Sequence, residues 1–436
     1  MLKRIAIKGY KSLDGVNVSL NRLCVLIGPN AAGKSNFLDA LQLLSRISSS
    51  RTLKDAFEPP YRGKPLESFA FGADGIEGIL RSESATFTIE ADVELSDSVI
   101  QSVDRQIRDM RRSTEDESPT NGHVKESSFI KERFLRYRLT VEIVPQSGIL
   151  RVRDEYLAAL AQNGQPTKKR MPFLEKKNRK LHLRMEGQAH PKYYEELLDH
   201  SILSMPHYAP HYPHLVAMNK ELASWNFFYL EPRERMRALN PVKESRHIGQ
   251  MGEDLASFLN TLKVLDPTRF RSVEKAIHHL IPSITGIDLA INSVGEVELR
   301  LREGSTPVPA RILSEGTLRL LGLLALSGAK DTPSLIGFEE PENGIHPRRI
   351  RLIADFLRNL SQQTQVIVTS HSPLLADSVL ERDLFVCRRN GRQTEIFAFD
   401  SPEGPLFRNP NIDNALDEAD EPMPISQRIL RGDFDA

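Results

Sequence analysis

The chain has 436 residues, with 58 Lys and Arg against 58 Asp and Glu, so its formal charge is zero. That length is too great for one compact core and implies two or three domains or subdomains. The charge balance excludes a generally basic protein made to coat nucleic acid, though not a local basic patch.

Residues 2–7 and 16–20 alternate like a two-stranded hairpin around a glycine-bearing turn. Residues 23–27, Leu-Cys-Val-Leu-Ile, read as a buried strand. Directly after it comes Gly28-Pro29-Asn30-Ala31-Ala32-Gly33-Lys34-Ser35, which is G-x-x-x-x-G-K-S, and then Asn36 opens a breaker-free stretch of helical spacing. Strand, glycine loop and helix in that order suit a phosphate-binding loop. Its backbone N–H groups turn inward around phosphate oxygens, and the helix N-terminus adds its positive end. Lys34 reaches the β- and γ-phosphates, and the Ser35 hydroxyl binds Mg²⁺.

Residues 85–95 and 137–144 alternate at period two and predict half-exposed antiparallel strands. Between them, residues 96–135 are highly charged and predict a mobile excursion with a short helix over 99–110. Residues 168–170 and 176–180 form a basic stretch. A solvated face and a nucleic-acid contact both remain open for it, because Phe173, Tyr193 and Tyr194 lie near enough to stack on bases. His207, His211 and His214 lie in a Pro-rich loop that reads as surface or interface, a metal site being the lesser alternative.

Helices are predicted from Gly252 and over 270–280, and strands over 287–291 and 296–302. Three polar motifs then end apolar elements. Ser314, Glu315 and Gly316 open an apolar helix through Leu326; the pattern suits a second anion site or a simple cap. Residues 334–338 predict a buried strand ending in Glu339 and Glu340. Two acids there are costly unless they serve a cation or a proton transfer. Residues 365–370 predict another buried strand, ending at His371, where the ligand crevice of a parallel sheet is found. Cys24 and Cys387 both lie in apolar runs and read as buried thiols of a reducing compartment. No signal-type segment opens the chain, and the apolar helix falls far short of the ~20 residues of a membrane span, so a cytoplasmic protein is expected. Residues 401–436 read as a loosely held tail.

Together these motifs resemble the ABC-type ATPase heads of the SMC, RecF and OLD class, and within it the stand-alone AAA_21 and AAA_15 ATPases. Further matches are Lys8-Gly9-Tyr10-Lys11-Ser12-Leu13, Ser224-Trp225-Asn226-Phe227-Phe228-Tyr229, Gly252-Glu253-Asp254-Leu255-Ala256 and Glu340-Pro341-Glu342-Asn343-Gly344-Ile345-His346-Pro347. Residues 96–220 carry no recognised motif. The resemblance implies an α/β fold: an ABC-type P-loop head, a mixed sheet with an antiparallel lobe, interrupted by a large α-rich insertion. The implied divisions are 1–95 for the N-terminal ATPase lobe and 96–135 for a charged insertion. Residues 136–221 hold returning strands plus insertion, 222–300 a helical region, 301–400 the C-terminal ATPase lobe and 401–436 the tail.

The resemblance also implies roles. ATP and Mg²⁺ are the cofactors, with Gly28 through Asn36 on the nucleotide. Ser35 and Glu339 hold Mg²⁺, and Glu339 stands where most ABC heads have Asp. Glu340 polarises the attacking water and His371 contacts the γ-phosphate. Ser314, Glu315 and Gly316 form the signature that meets the nucleotide of a second copy; Asn343, Gly344 and Ile345 form the loop that touches across the dimer. No Gln matches the family's Q-loop. The implied function is a slowly hydrolysing switch, a homodimer or higher even oligomer joined through composite ATP sites, that controls a separate effector, a nuclease, in prokaryotic anti-phage defence. A RecF-like DNA-repair ATPase is the alternative. An OLD-type nuclease needs a Toprim domain for which the 65 residues after His371 carry no acid pattern.

Overall fold

The computed structural model describes residues 1–112, 128–188, 190–327, 333–399 and 425–430. The chain forms two compact units: residues 1–21, 31–225 and 388–396 in the first, residues 22–30, 226–387 and those from 397 on in the second. The acidic run over 113–119 and most of the tail lie outside the described residues.

In chain order, β1 (Leu2–Lys8) and β2 (Val16–Ser19) form the expected antiparallel hairpin, Ile5 opposite Val18. β3 (Leu23–Ile27) belongs to the second unit, and α1 (Lys34–Ser49) returns the chain to the first. Two short helices follow, α2 (Leu53–Ala56) and α3 (Gly75–Leu80), then β4 (Ala85–Glu94) and α4 (Asp97–Arg112). β5 (Phe134–Val144) and β6 (Ile149–Ala159) are long; β7 (Leu174–Lys177), β8 (Lys180–Leu183) and β9 (Lys192–Glu195) are short, and α5 (Pro213–Ala223) closes the unit. The eight strands of this unit make one sheet in the order β2-β1-β4-β5-β6-β7-β8-β9, antiparallel throughout. The interruption expected to be α-rich thus carries α4 and α5, but it also adds the five strands β5 to β9 to this sheet.

Alternation sorts the sheet's two faces. Phe87, Ile89, Ala91 and Val93 of β4 and Leu135, Tyr137, Leu139 and Val141 of β5 are all buried. Polar partners ladder across the other face. Asp92 takes Arg4 at 2.8 Å and Arg136 at 2.6 Å, and Asp154 takes Arg138 at 3.1 Å. One carboxylate points into the apolar side. Glu155 is fully buried and accepts four bonds: from the Tyr137 and Ser201 hydroxyls at 2.8 and 2.6 Å, and from the N–H groups of Ile202 and Leu203 at 2.7 and 3.0 Å. It ties the loop before α5 to the sheet.

The second unit continues with β10 (Asn226–Phe228), β11 (Asn240–Pro241), α6 (Leu255–Leu265), α7 (Pro267–Leu280), β12 (Ile284–Ile291), β13 (Glu296–Glu303) and β14 (Thr306–Pro309). It ends with α8 (Glu315–Ser327), β15 (Leu335–Glu339), α9 (Ile350–Ser361), β16 (Gln365–Ser370), α10 (Pro373–Ala376) and β17 (Leu384–Asn390). Its main sheet runs β10-β15-β16-β3-β17, and every pairing in that run is parallel. Every residue of β3 and β16 is buried, as the continuous apolar runs predict for strands covered on both faces. Leu318, Leu321 and Leu324 of α8 and Ile353 and Leu357 of α9 pack into one core with these strands. A small sheet, β11-β13-β12 with β14 on β13, completes the unit.

Burial raises the Glu155 carboxyl above its ordinary range. The proton it retains favours the folded state, so its contribution is full below the ordinary carboxylate pKa and is lost as pH rises through the raised value. Glu155→Ala removes the acceptor of four buried donors and should cost about 3 kcal/mol. Glu155→Gln, neutral throughout, should lose this part of the pH dependence. Denaturant midpoints of the three proteins from acid to neutral pH check both outcomes.

Candidate functional site

The parallel sheet brings three polar loops to one edge. β3, β15 and β16 run the same way, with Glu339 opposite Thr369 and Ser370 opposite Ile27. Their C-terminal ends therefore deliver residues 28–30, the pair Glu339 and Glu340, and His371 to the same side, where open parallel sheets bind ligands. β16 separates β15 from β3, so the acids and the start of the glycine loop are about 10 Å apart, two strand spacings. Two carboxylates on the same sheet edge as a glycine loop are a donor set suited to a divalent cation and a phosphoryl group.

Glu340 has a strained backbone. Its φ is +46°, a region that costs a non-glycine residue about 1 kcal/mol or more. Its N–H donates to the Thr369 carbonyl at 2.9 Å, which fixes the turn against β16. Oε1 lies 3.1 Å from Nδ1 of His371, and Asn343 donates its side-chain amide to Oε2. Glu340 and His371 keep 27% and 45% of their side-chain surface exposed, so the pair faces outward. Sequence analysis gave Asn343 to a dimer contact; within this chain it orients Glu340.

Glu342 received no role from the sequence, although it lies in a quoted motif. It is buried, and burial pushes its carboxyl above the usual carboxylate range. The Ser370 hydroxyl donates to Glu342 and accepts from the Ser372 N–H at 3.0 Å. These bonds brace the turn that carries His371.

At the start of α8, Ser314 is a true cap: its Oγ accepts from the Thr317 N–H at 3.1 Å. Gly316 touches the turn after Glu340 so closely that a Cβ would fall 2.3 Å from the Gly344 carbonyl oxygen. The two motifs read separately, Ser314 with Gly316 and Asn343 with Ile345, are therefore neighbours in one chain. Glu315 accepts from Arg233 at 2.7 Å, an exposed pair that adds little stability.

In the first unit, α1 begins after Gly33, whose φ of +104° and whose neighbour, Thr394 Oγ1 at 2.1 Å from an added Cβ, both demand glycine. No side chain caps α1, and its first turn holds no acid. The positive end of such a helix attracts anions, nucleotide phosphates among them. Lys34 is buried, Ser35 and Asn36 are half-buried, and Pro29, Asn30 and Ala31 are exposed. Thr394 donates to the Ala32 carbonyl at 2.8 Å and contacts the Ser12 hydroxyl at 2.7 Å, which accepts from Asn36 at 2.7 Å. One turn on, buried Asp39 pairs with Lys11 at 2.7 Å and Arg62 at 2.8 Å. Lys11 and Ser12 thus buttress the loop and its helix; the sequence marked them only as part of a motif.

The basic stretch is corrected in one respect. Phe173 is buried and stacks on His214 at 4.7 Å between ring centroids, so it is not available to bases. Lys168, Lys169, Lys177, Arg179 and Lys180 are exposed, while Lys176 pairs with Glu196 at 2.6 Å. His214 is fully buried, with Glu186 at 2.8 Å on Nδ1 and the N–H groups of Lys131 and Glu132 on Nε2. Among the described residues, no helix is long and apolar enough to cross a membrane.

Comparison with known proteins agrees with this arrangement. The model of the AAA_21 family, described as "AAA domain, putative AbiEii toxin, Type IV TA system", matches residues 23–377. Among solved structures, the SMC head bound to the C-winged helix domain of ScpA is similar at 11% identity and a TM-score of 0.53, over 91% of this chain and 97% of that one. The Smc head with an extended coiled coil bound to the C-terminal domain of ScpA, from Pyrococcus furiosus, aligns at 10% identity and a TM-score of 0.47, over 91% and 95%. The SMC head domain from Thermotoga maritima aligns at 14% identity and 0.40, over 91% and 98%.

The contact of α8 with the Gly344 turn is testable. Gly316→Ala places its methyl against main chain and should cost about 1–3 kcal/mol. A lowered unfolding midpoint checks it; an unchanged midpoint would show that the turn yields freely.

Proposed function

We propose, since the chain belongs to the AAA_21 family and has the ABC-type P-loop ATPase fold, that it is a dimeric ATP switch governing a separately encoded effector. The observation that carries this reading is the Glu340–His371 pair at the ends of adjacent parallel strands, on the sheet edge where the glycine loop begins.

Each residue then has a task. Gly28 through Asn36 wrap the phosphates, and Lys34 neutralises the β- and γ-phosphates. Ser35 and Glu339 hold Mg²⁺, which supplies charge stabilisation when bound. Glu340 orients and polarises the attacking water, and Asn343 and His371 hold its two oxygens in place. Ser314 and Gly316 reach the γ-phosphate held by a second copy, so two copies complete each site. Asn343, Gly344 and Ile345 lie on the face that meets that copy. The bound γ-phosphate then favours the dimer and hydrolysis loosens it.

The effector we propose is a nuclease acting in the cytoplasm against phage or foreign DNA; the family's toxin–antitoxin description supports a defence role. Residues 96–220 are the part we assign to partner contact. A second reading, a RecF-like or SMC-like ATPase on DNA, draws on the SMC-head fold and the exposed cations between residues 168 and 180.

Lys34→Ala should lower ATP affinity by about ten- to a hundredfold, the worth of charge-assisted bonds, with the fold intact by circular dichroism. Calorimetry showing wild-type affinity would remove the phosphate-loop assignment. Glu340→Gln should still bind ATP while hydrolysis falls by roughly a hundredfold or more. Its ATP-bound dimer should persist in sedimentation, and an unchanged turnover rate moves the catalytic role elsewhere.

The purified chain with Mg²⁺, with or without ATP, should not cut DNA or RNA, because such chemistry needs a site of its own, usually metal-holding carboxylates, and the described residues hold no further cluster of metal ligands. A gel assay decides. Cleavage that survives stringent purification, and that is lost on mutating acids outside the ATP site, identifies an active site of its own.

A further inference from the structure

We infer that Arg319 is a positioning residue through which the start of α8 sets the geometry of Glu340. The inference rests on the ATPase reading and adds to it a residue and a coupling.

Arg319 lies three residues after Gly316, on the same helix face. That face meets the turn beyond β15 at two points. Gly316 abuts the Gly344 carbonyl, and Arg319 donates to the Glu340 carbonyl at 3.3 Å. Its other terminal nitrogen donates to the Leu230 carbonyl at 3.1 Å. Nε is buried with no hydrogen-bond partner, and among the described residues no carboxylate lies within ion-pair distance of the guanidinium.

A half-buried cation whose hydrogen bonds go only to carbonyl oxygens costs free energy to hold there. Desolvation accordingly pulls its pKa below the ordinary arginine value, opposed at longer range by Tyr229, Glu315, Glu342 and Glu340. What the arginine adds is a grip on the main chain of Glu340, the residue whose φ of +46° needs to be held. Backbone hydrogen bonds couple the turn that holds Ser314 and Gly316 to the turn that holds Arg319. When Ser314 and Gly316 engage an anion, Arg319 moves with them and shifts the Glu340 carbonyl. The helix thereby reports occupancy at its N-terminus to the residue that polarises water.

The test measures ATP affinity and turnover separately for Arg319→Met and Arg319→Lys, each in the wild-type and the Glu340→Gln backgrounds. Arg319→Met should lower kcat by about tenfold or more with ATP affinity within about threefold of wild type. Arg319→Lys keeps the charge, can reach one carbonyl and should recover part of the loss. In the Glu340→Gln background neither change should lower the rate further.

A folded Arg319→Met with wild-type kcat overturns the inference. So does an equal loss in both backgrounds, or a joint fall of affinity, rate and unfolding midpoint, which marks a merely structural role. Should Arg319→Met fail to fold, Arg319→Lys carries the same background comparison. A wild-type chain that neither binds nor hydrolyses ATP overturns the ATPase reading and this inference together. Hydrolysis by the wild type beside an unaffected variant overturns this inference alone.

Discussion

The parallel register of β3, β15 and β16 is the constraint on which the rest depends. Strands buried on both faces cannot carry polar side chains along their length without cost. Polar groups can appear only where the strands stop, and parallel strands stop on one side. Glu339, Glu340 and His371 are therefore gathered by the same hydrogen bonds that build the sheet. Residues far apart in the chain become neighbours with no local signal linking them.

The cost of that gathering is visible around Glu340. The residue adopts a left-handed backbone, Glu342 is buried beside it, and Arg319 lies beneath the turn with its charge facing carbonyls. Arg319 Nε, Glu342 Oε2 and Thr369 Oγ1 are buried without hydrogen-bond partners. Strain and unpaired polar atoms cluster at sites where geometry serves a ligand rather than stability. The antiparallel sheet of the first unit is the contrast. There a fully buried carboxylate, Glu155, accepts four bonds and ties loop to sheet.

Much of the fold was legible because its signals are local. The run at β3 and the period-two stretches at β4 and β5 declared strands, and Gly33, Lys34 and Ser35 declared a phosphate loop. Residues 150–225 were not legible. Three of their strands have only four residues each, too few for periodicity to speak, and are strands because each pairs with the one before it, β7 on β6, β8 on β7 and β9 on β8. Phe173 misled for the same reason: proximity in sequence to lysines suggested a base-stacking surface, while packing turned the ring onto His214.

The sequence by itself determined which side chains could carry chemistry: a lysine and serine after a glycine loop, two acids after one apolar strand and a histidine after another. Their spacing alone was enough to name them, since each motif is a short strand-to-loop junction. Tertiary structure decided how they act on one another. It set Glu340 against His371 and Asn343, placed Gly316 against Gly344, braced Asn36 with Ser12 and Thr394, and turned Arg319 toward a carbonyl rather than a carboxylate. These contacts depend on strand order and helix rotation, which follow from burying one shared core and leave no mark in any single stretch of residues.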